Sequence, residues 1–205
     1  MWVTEMAARA RNRRGEGARL RDEILTAATR LLEETGSEEA VTLRAVARGV
    51  GISAPSIYAH FADRSAIVEA VVDQAFTDFT AAIVAGVGTA SDPVERLRGG
   101  CAAYLDFAER HRNRYRLLFE RRDLIPGGQM TQVQRDSFAI LVDALQACID
   151  ADRSTSRDAF GDASAMWTAL HGYAVLHVGL PGFPWPPEPD MLDRIVYGLG
   201  RISPR

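Results

Sequence analysis

Lysine is missing: all 24 basic residues of the 205-residue chain are arginine. That is a compositional trait of the kind a GC-rich genome produces, and no mechanism follows from it. Cysteine is scarce. Cys101 and Cys148 stand far apart with no CxxC spacing and no Cys/His cluster. A zinc finger and a disulfide-stapled secreted scaffold are thereby excluded, and a reducing cytoplasm is the expected compartment. Residues 1–14 contain no apolar core segment, so no secretory signal is expected there. GxSxG, HExxH, P-loop and dinucleotide fingerprints are all missing, which leaves an all-helical enzyme only as a remote alternative. His171 and His177 are six residues apart, off the same-face spacing of a helical metal pair, so neither metal nor cofactor is expected. Aspartate, glutamate and arginine are missing from residues 163–187, a run long enough to span a bilayer. His171 and His177 interrupt it, and Pro181, Pro184, Pro186 and Pro187 break its second half. A helix ending near Gly179, buried in a core or a dimer interface, is the better reading, and no membrane partner is expected.

What remains is an ordinary globular composition, 47% hydrophobic and 25% charged, enough to bury a core without staples. The length suits one domain, or a small one followed by a medium one. The net charge of −3 conceals an asymmetry. Arg9, Arg11, Arg13, Arg14, Arg19 and Arg21 face only Glu5 and Glu16 at the N-terminus, whereas residues 65–205 are net acidic. A basic arm over residues 1–17 on a mildly acidic body points to a polyanion partner at one end.

Helical periodicity dominates, and no run alternates like a strand. The first helix is expected over 18–35, with Leu20, Ile24, Ala27, Ala28 and Leu31 inward and Gly36 as its stop. Thr42 is a good N-cap for a short helix carrying Leu43, Val46, Ala47 and Val50. Gly51 breaks it, Ser53 caps a third helix with Pro55 in its first turn, and Asp63 caps a fourth with Ile67, Val71, Ala75 and Phe79 inward. Residues 86–90 read as a weak joint. Asp92-Pro93 opens a helix with the stripe Val94, Leu97, Cys101, Leu105 and Ala108. An arginine-rich stretch over 110–122 retains Tyr115, Leu118 and Phe119, and Pro126-Gly127-Gly128 reads as a loop. Further helices are expected over 129–150 (Phe138, Leu141, Val142, Leu145 and Ile149 inward) and 157–178. The last, over 190–202, follows a five-proline connector and turns Leu192, Ile195, Val196, Leu199 and Ile202 inward. The fold class is all-α.

Residues 42–61, TLRAVARGVGISAPSIYAHF, read as helix, sharp turn, helix. Gly51 can take the positive φ that such a turn needs. Ile52, Ile57 and Phe61 face inward, which leaves Ala54, Pro55, Ser56, Tyr58 and His60 on the outer surface. A short helix docked this way can enter a major groove by its N-terminal end, and the starts marked by Thr42, Ser53 and Asp63 offer N–H groups to phosphates.

Residues 18–78 resemble the DNA-binding domain of TetR-family transcriptional regulators. The resemblance rests on RDEILTAATRLLEETG, TLRAVARGVGIS, SIYAHF and DRSAIVEAV in that order. It implies a three-helix DNA-binding head over 18–78. A larger helical body over 79–205 would bind a small effector and form a homodimer on a palindromic double-stranded DNA operator. The segment Trp167-Thr168-Ala169-Leu170-His171-Gly172 resembles a subgroup whose body carries a Trp, His and Gly constellation. Geometry and resemblance together assign Tyr58 and His60 to phosphate or base edges, Thr42, Ser53, Ser56 and Arg64 to phosphates, and Arg44 to a phosphate or a guanine. The third helix holds no Arg, Asn or Gln, so bidentate base reading from it is poor. Specificity then leans on thymine-methyl contacts from Ala54 or Pro55, on Tyr58, on Arg44 and on DNA shape. Residues 9–14 would enter the minor groove or raise non-specific affinity.

In the body, Tyr104, Phe107, Phe119, Phe138, Trp167 and His171 are the candidate effector-binding residues, with Tyr115 and Tyr173 also of interest. Gly99-Gly100 costs about 1 kcal/mol per glycine against alanine in mid-helix, which tight packing or a ligand would explain. The function read is a DNA-binding regulator, a repressor released by a small apolar or aromatic effector. The alternative is a constitutive DNA-binding dimer. A buried aromatic cavity favours the first and a closed body the second.

Overall fold

The computed structural model describes residues 16–120 and 131–203. Nine α-helices account for most of them, and the only β-type pairing among the described residues is an isolated antiparallel bridge between Ser154 and Ile202. Two compact units divide between Asp73 and Gln74, a few residues before the boundary expected at 78. Residues 9–14 of the basic arm and the loop Pro126-Gly127-Gly128 lie outside the described residues.

The first unit begins with α1, Glu16–Thr35. Ile24, Ala27, Ala28 and Leu32 are buried, while Leu20 and Leu31 are half-buried. Leu32, not Leu31, is the deeper anchor, because it lies one i+4 step below Ala28 on the buried stripe. Gly36 (φ 63°) closes the helix, its N–H donating to the Leu32 carbonyl at 2.8 Å. A 3-10 turn, Glu38–Ala40, leads to α2, Leu43–Val50, which packs on α1 where Gly49 would bring a Cβ to 3.3 Å of the Ala27 methyl. The helix α3, Ala54–Ile57, packs on α2, with Ile57 fully buried. The first turns of α4, Arg64–Val87, bury Ile67, Val68, Val71 and Val72.

The second unit begins within α4, whose end falls inside the joint expected over 86–90. The helix continues to Val87 and turns at Gly88 (φ 59°). Next come α5, Pro93–Arg110, and α6, Arg112–Glu120; then α7, Gln132–Asp150, and α8, Ala159–Gly179. Gly86 crosses α5 at Gly99: a Cβ on Gly99 would stand 2.2 Å from the Gly86 carbonyl oxygen, and one on Gly100 2.9 Å from Val87. Backbone-to-backbone packing therefore explains the first glycine of the pair. The α5 stripe Val94, Leu97, Cys101, Leu105 and Ala108 is buried throughout. Asp92 caps α5 through the Val94 N–H at 2.9 Å and also accepts two bonds from Arg153 at 2.9 and 3.1 Å. The last helix, α9, Glu188–Asp193, passes into a π-helical stretch, Arg194–Leu199. The wider turn there rotates Leu199 outward, against expectation, while Leu192, Ile195, Val196 and Ile202 stay buried.

Among the described residues one helix, α4, is long and apolar enough by composition to cross a membrane. Its stripe Ile67, Val71, Ala75 and Phe79 is buried within the protein, so that apolarity serves a core.

Candidate nucleic-acid interface and body cavity

The helix-turn-helix is built as the residues demand. Thr42 caps α2, its Oγ1 accepting from the Ala45 N–H at 3.1 Å. Gly51 sits in the left-handed region at φ 75° with open space around it, and the Ile52 N–H returns to the Ala47 carbonyl at 3.0 Å. Ser53 holds the N-cap position of α3 but not the capping bond: its Oγ pairs with the Ser56 Oγ at 2.7 Å. The regular helix is shorter than expected, ending at Ile57. A further turn, held by His60 N–H to the Ile57 carbonyl at 2.8 Å, carries the chain to Phe61.

Tyr58 is 59% exposed, and Arg44, Arg48, Thr42, Ser53 and Pro55 are exposed as well. Ala54, Ser56 and His60 are half-buried, His60 lying beside Gly17. Arg64 is placed differently from a simple phosphate ligand. Its Nε donates to the Val41 carbonyl at 3.1 Å and a terminal nitrogen to the Glu38 carbonyl at 2.5 Å. Asp63 caps α4 through the Ala66 N–H at 2.9 Å. Arg21, counted in the sequence only toward the basic N-terminal charge, lies 5.0 Å above the Phe61 ring and ties α1 to the end of the motif. The resulting surface offers hydroxyls and guanidinium groups, the donors that phosphate oxygens accept from.

The second unit carries a partly open cavity of about 230 Å³ between α4, α5, α6, α7 and α8. Four of the six expected residues line it: Tyr104, Phe119, Phe138 and Trp167. Phe107 does not; it packs behind the wall between Phe79, with ring centres 5.2 Å apart, and His111, at 4.8 Å. Nor does His171, whose Nδ1 meets the Tyr115 hydroxyl at 2.7 Å. Tyr115 and Tyr104 share a further bond at 2.7 Å, and Trp167 lies within bonding reach of Tyr104. Burial pushes both tyrosine hydroxyls well above their ordinary range, so they stay protonated.

Sequence reasoning missed the two polar residues of the wall, Gln134 and Ser137. The spacing Thr131-x-x-Gln134 was the available signal for Gln134: a capping box in which its side chain accepts from the Thr131 N–H at 2.9 Å. Cys101 also lines the cavity, and burial pushes its thiol up to about 12, which makes it a poor nucleophile. Among the described residues no cluster of His, Cys, Asp and Glu could hold a metal ion.

Two family descriptions match. Residues 24–71 match bacterial regulatory proteins of the tetR family, and residues 97–198 match the tetracyclin repressor-like C-terminal domain. The HTH-type transcriptional activator FasR of Mycolicibacterium smegmatis is 29% identical over 131 residues, which are 64% of this chain and 56% of that protein. The match thus spans little more than half of that relative's length. A solved structure from Rhodococcus sp. RHA1, itself of unknown function, superposes with a TM-score of 0.77 at 26% identity over 89% of this chain and 94% of its own. The TetR family transcriptional regulator PfmR from Thermus thermophilus shares the fold, with a TM-score of 0.60 at 19% identity over 89% of this chain and 99% of its own. With its helix-turn-helix unit and its larger helical body both matched, the chain belongs to the TetR family of bacterial regulatory proteins.

Proposed function

We propose that the chain works as a homodimer on a palindromic operator, and that a small apolar or aromatic effector in the body cavity releases it from DNA. The observation that carries this reading is the cavity. A purely constitutive DNA-binding dimer has no use for about 230 Å³ of aromatic-walled space, which costs packing energy. The outer face of α8 supports pairing. Val175, Leu176 and Val178 are exposed there, with open space above Gly172 and Gly179, and the last helix exposes Tyr197 and Leu199 beside an equally open Gly198. Two copies meeting through 157–178 and 190–202 would cover these apolar surfaces in a four-helix contact and hold the two recognition helices about 34–36 Å apart, one DNA turn. Within the head, Thr42, Ser53 and Ser56 would hold phosphates while Arg64 braces the turn before α2; Ala54, Pro55, Tyr58, His60 and Arg44 would meet bases or the backbone. A regulator of this kind acts in the cytoplasm, where its operator is.

Activation is the second reading, favoured by the name of the FasR relative. Both are tested by selecting operator fragments with the full-length protein, then titrating the complex with apolar and aromatic metabolites while anisotropy reports binding. Effector release together with derepression of a reporter supports the repressor. A reporter that loses transcription when the gene is deleted establishes the activator. A complex that no compound perturbs returns the constitutive dimer.

A further inference from the structure

Resting on the sensor reading, we infer that the body cavity selects a neutral ligand bearing one hydroxyl, an alcohol or phenol, held between Gln134 and Ser137. Among the described residues the wall holds no Arg, His, Asp or Glu, so a charged ligand would be desolvated against them without a partner. Tyr104 is the other hydroxyl in the wall, and it is engaged with Tyr115.

Proton accounting fixes what the remaining two groups offer. Thr80 has one hydroxyl proton and donates it to the Phe76 carbonyl at 2.8 Å. The short contact between Thr80 and Ser137 must therefore use the Ser137 proton, which leaves Ser137 an acceptor only. Gln134 is the converse. Its amide oxygen accepts from the Thr131 N–H at 2.9 Å, and among the described residues no acceptor meets its amide nitrogen. The two residues are i and i+3 on α7, hence on one face of the helix. One acceptor beside one donor is the complement of a hydroxyl, which donates to Ser137 and accepts from Gln134. An ether or ketone can only accept and leaves Ser137 unanswered. A carboxylate sets its charge against the Ser137 lone pairs.

Size follows from the volume. An apolar cavity of about 150 Å³ holds benzene, so this one suits about ten non-hydrogen atoms.

The test titrates full-length protein by calorimetry with naphthalene, 2-naphthol, 2-methoxynaphthalene and 2-naphthoate, four probes sharing one ring system, with about ten to thirteen non-hydrogen atoms. 2-Naphthol is expected to bind at least tenfold tighter than naphthalene or the methyl ether, and 2-naphthoate weakest. Ser137→Ala keeps the Thr80 bond to Phe76 and should cost 2-naphthol about tenfold while leaving naphthalene within about twofold. Gln134→Glu keeps an oxygen for the capping box, loses the donor, and should weaken 2-naphthol by a similar factor. Equal affinity for 2-naphthol and its methyl ether, tighter binding of 2-naphthoate, binding of none of the four, or insensitivity to Ser137→Ala overturns the assignment. The sensor reading fails separately, if 2-naphthol binds as expected and operator affinity and reporter output do not respond to any cavity ligand.

Discussion

Arg64 and Arg44 separate two jobs that one residue type can do. Arg64 is tied by two donors to the carbonyls of Val41 and Glu38, so it holds the start of α4 against the short turn before α2. Arg44 is exposed on α2. Arg64→Ala should therefore lower stability in urea by about 1–3 kcal/mol, the range for hydrogen bonds to a charged group. Arg44→Ala should leave stability within about 0.5 kcal/mol and weaken operator binding instead, reducing the salt slope by about one. Joined with Tyr58→Ala it should abolish operator binding in a folded protein, with circular dichroism as the control. Cys101 makes a different residue-scale prediction. Burial raises its thiol from 9.0 to about 12 in the folded protein. The unfolded chain then releases that proton first, so the contribution is intact below about pH 9 and falls by about 1.4 kcal/mol per pH unit up to the folded value. The thermal midpoint should drop above pH 9, and Cys101→Ser should flatten part of that drop.

Elements were legible wherever a local signal sets the boundary. Thr42, Asp63 and Asp92 cap the helices that their side chains suggested, and Gly51 takes the positive φ expected of it. Boundaries set by contacts remote in sequence were not legible. The end of α4 falls within the joint expected over 86–90, but the reason Gly86 is glycine, the Gly99 backbone across the crossing, lies on another helix. Leu199 obeys the helical stripe in sequence and leaves it in space, since a π turn changes the period. Gly99 supplies the measurement at this scale. Helix propensity alone predicts that Gly99→Ala gains about 1 kcal/mol. A Cβ 2.2 Å from the Gly86 carbonyl cannot be relieved by a rotamer, so the crossing must open. The clash should win, with a net loss of about 1–3 kcal/mol in chemical denaturation. A neutral or stabilising Gly99→Ala would show that α4 and α5 slide apart freely.

At the scale of the molecule, the sites were unequally visible. The residues proposed to face DNA lie close together in one helix-turn-helix motif, and such a motif can be read along the chain. The cavity is assembled from five helices, so aromatics could be nominated but not sorted. Phe107 and His171 belong to the packing behind the wall, and Gln134 and Ser137 belong to the wall itself.

The proposed pairing surface rests on exposure. Leu176 is 47% exposed on the apolar side of α8, next to the open Gly172 and Gly179. A charge placed there would be desolvated without a partner if two copies meet, and would cost nothing if α8 faces water. Leu176→Glu should thus halve the mass seen by light scattering at micromolar concentration while the helical signal stays unchanged. Operator affinity should collapse with it, because a single head retains only half of the contacts and loses the effective concentration that joining supplies. Under the sensor reading, the effector would act on the same linkage. Moving the dimer from almost wholly operator-competent to almost wholly released requires the ligand to prefer the released form by about 5.5 kcal/mol. Such a difference is available only if the cavity changes shape between the two forms, since a ligand bound equally by both shifts nothing. Filling the space with Gly100→Ala, whose added methyl would meet Val87, should therefore weaken effector binding and bias the head spacing together. A change in effector affinity with no change in operator affinity would mean that cavity and head are not coupled.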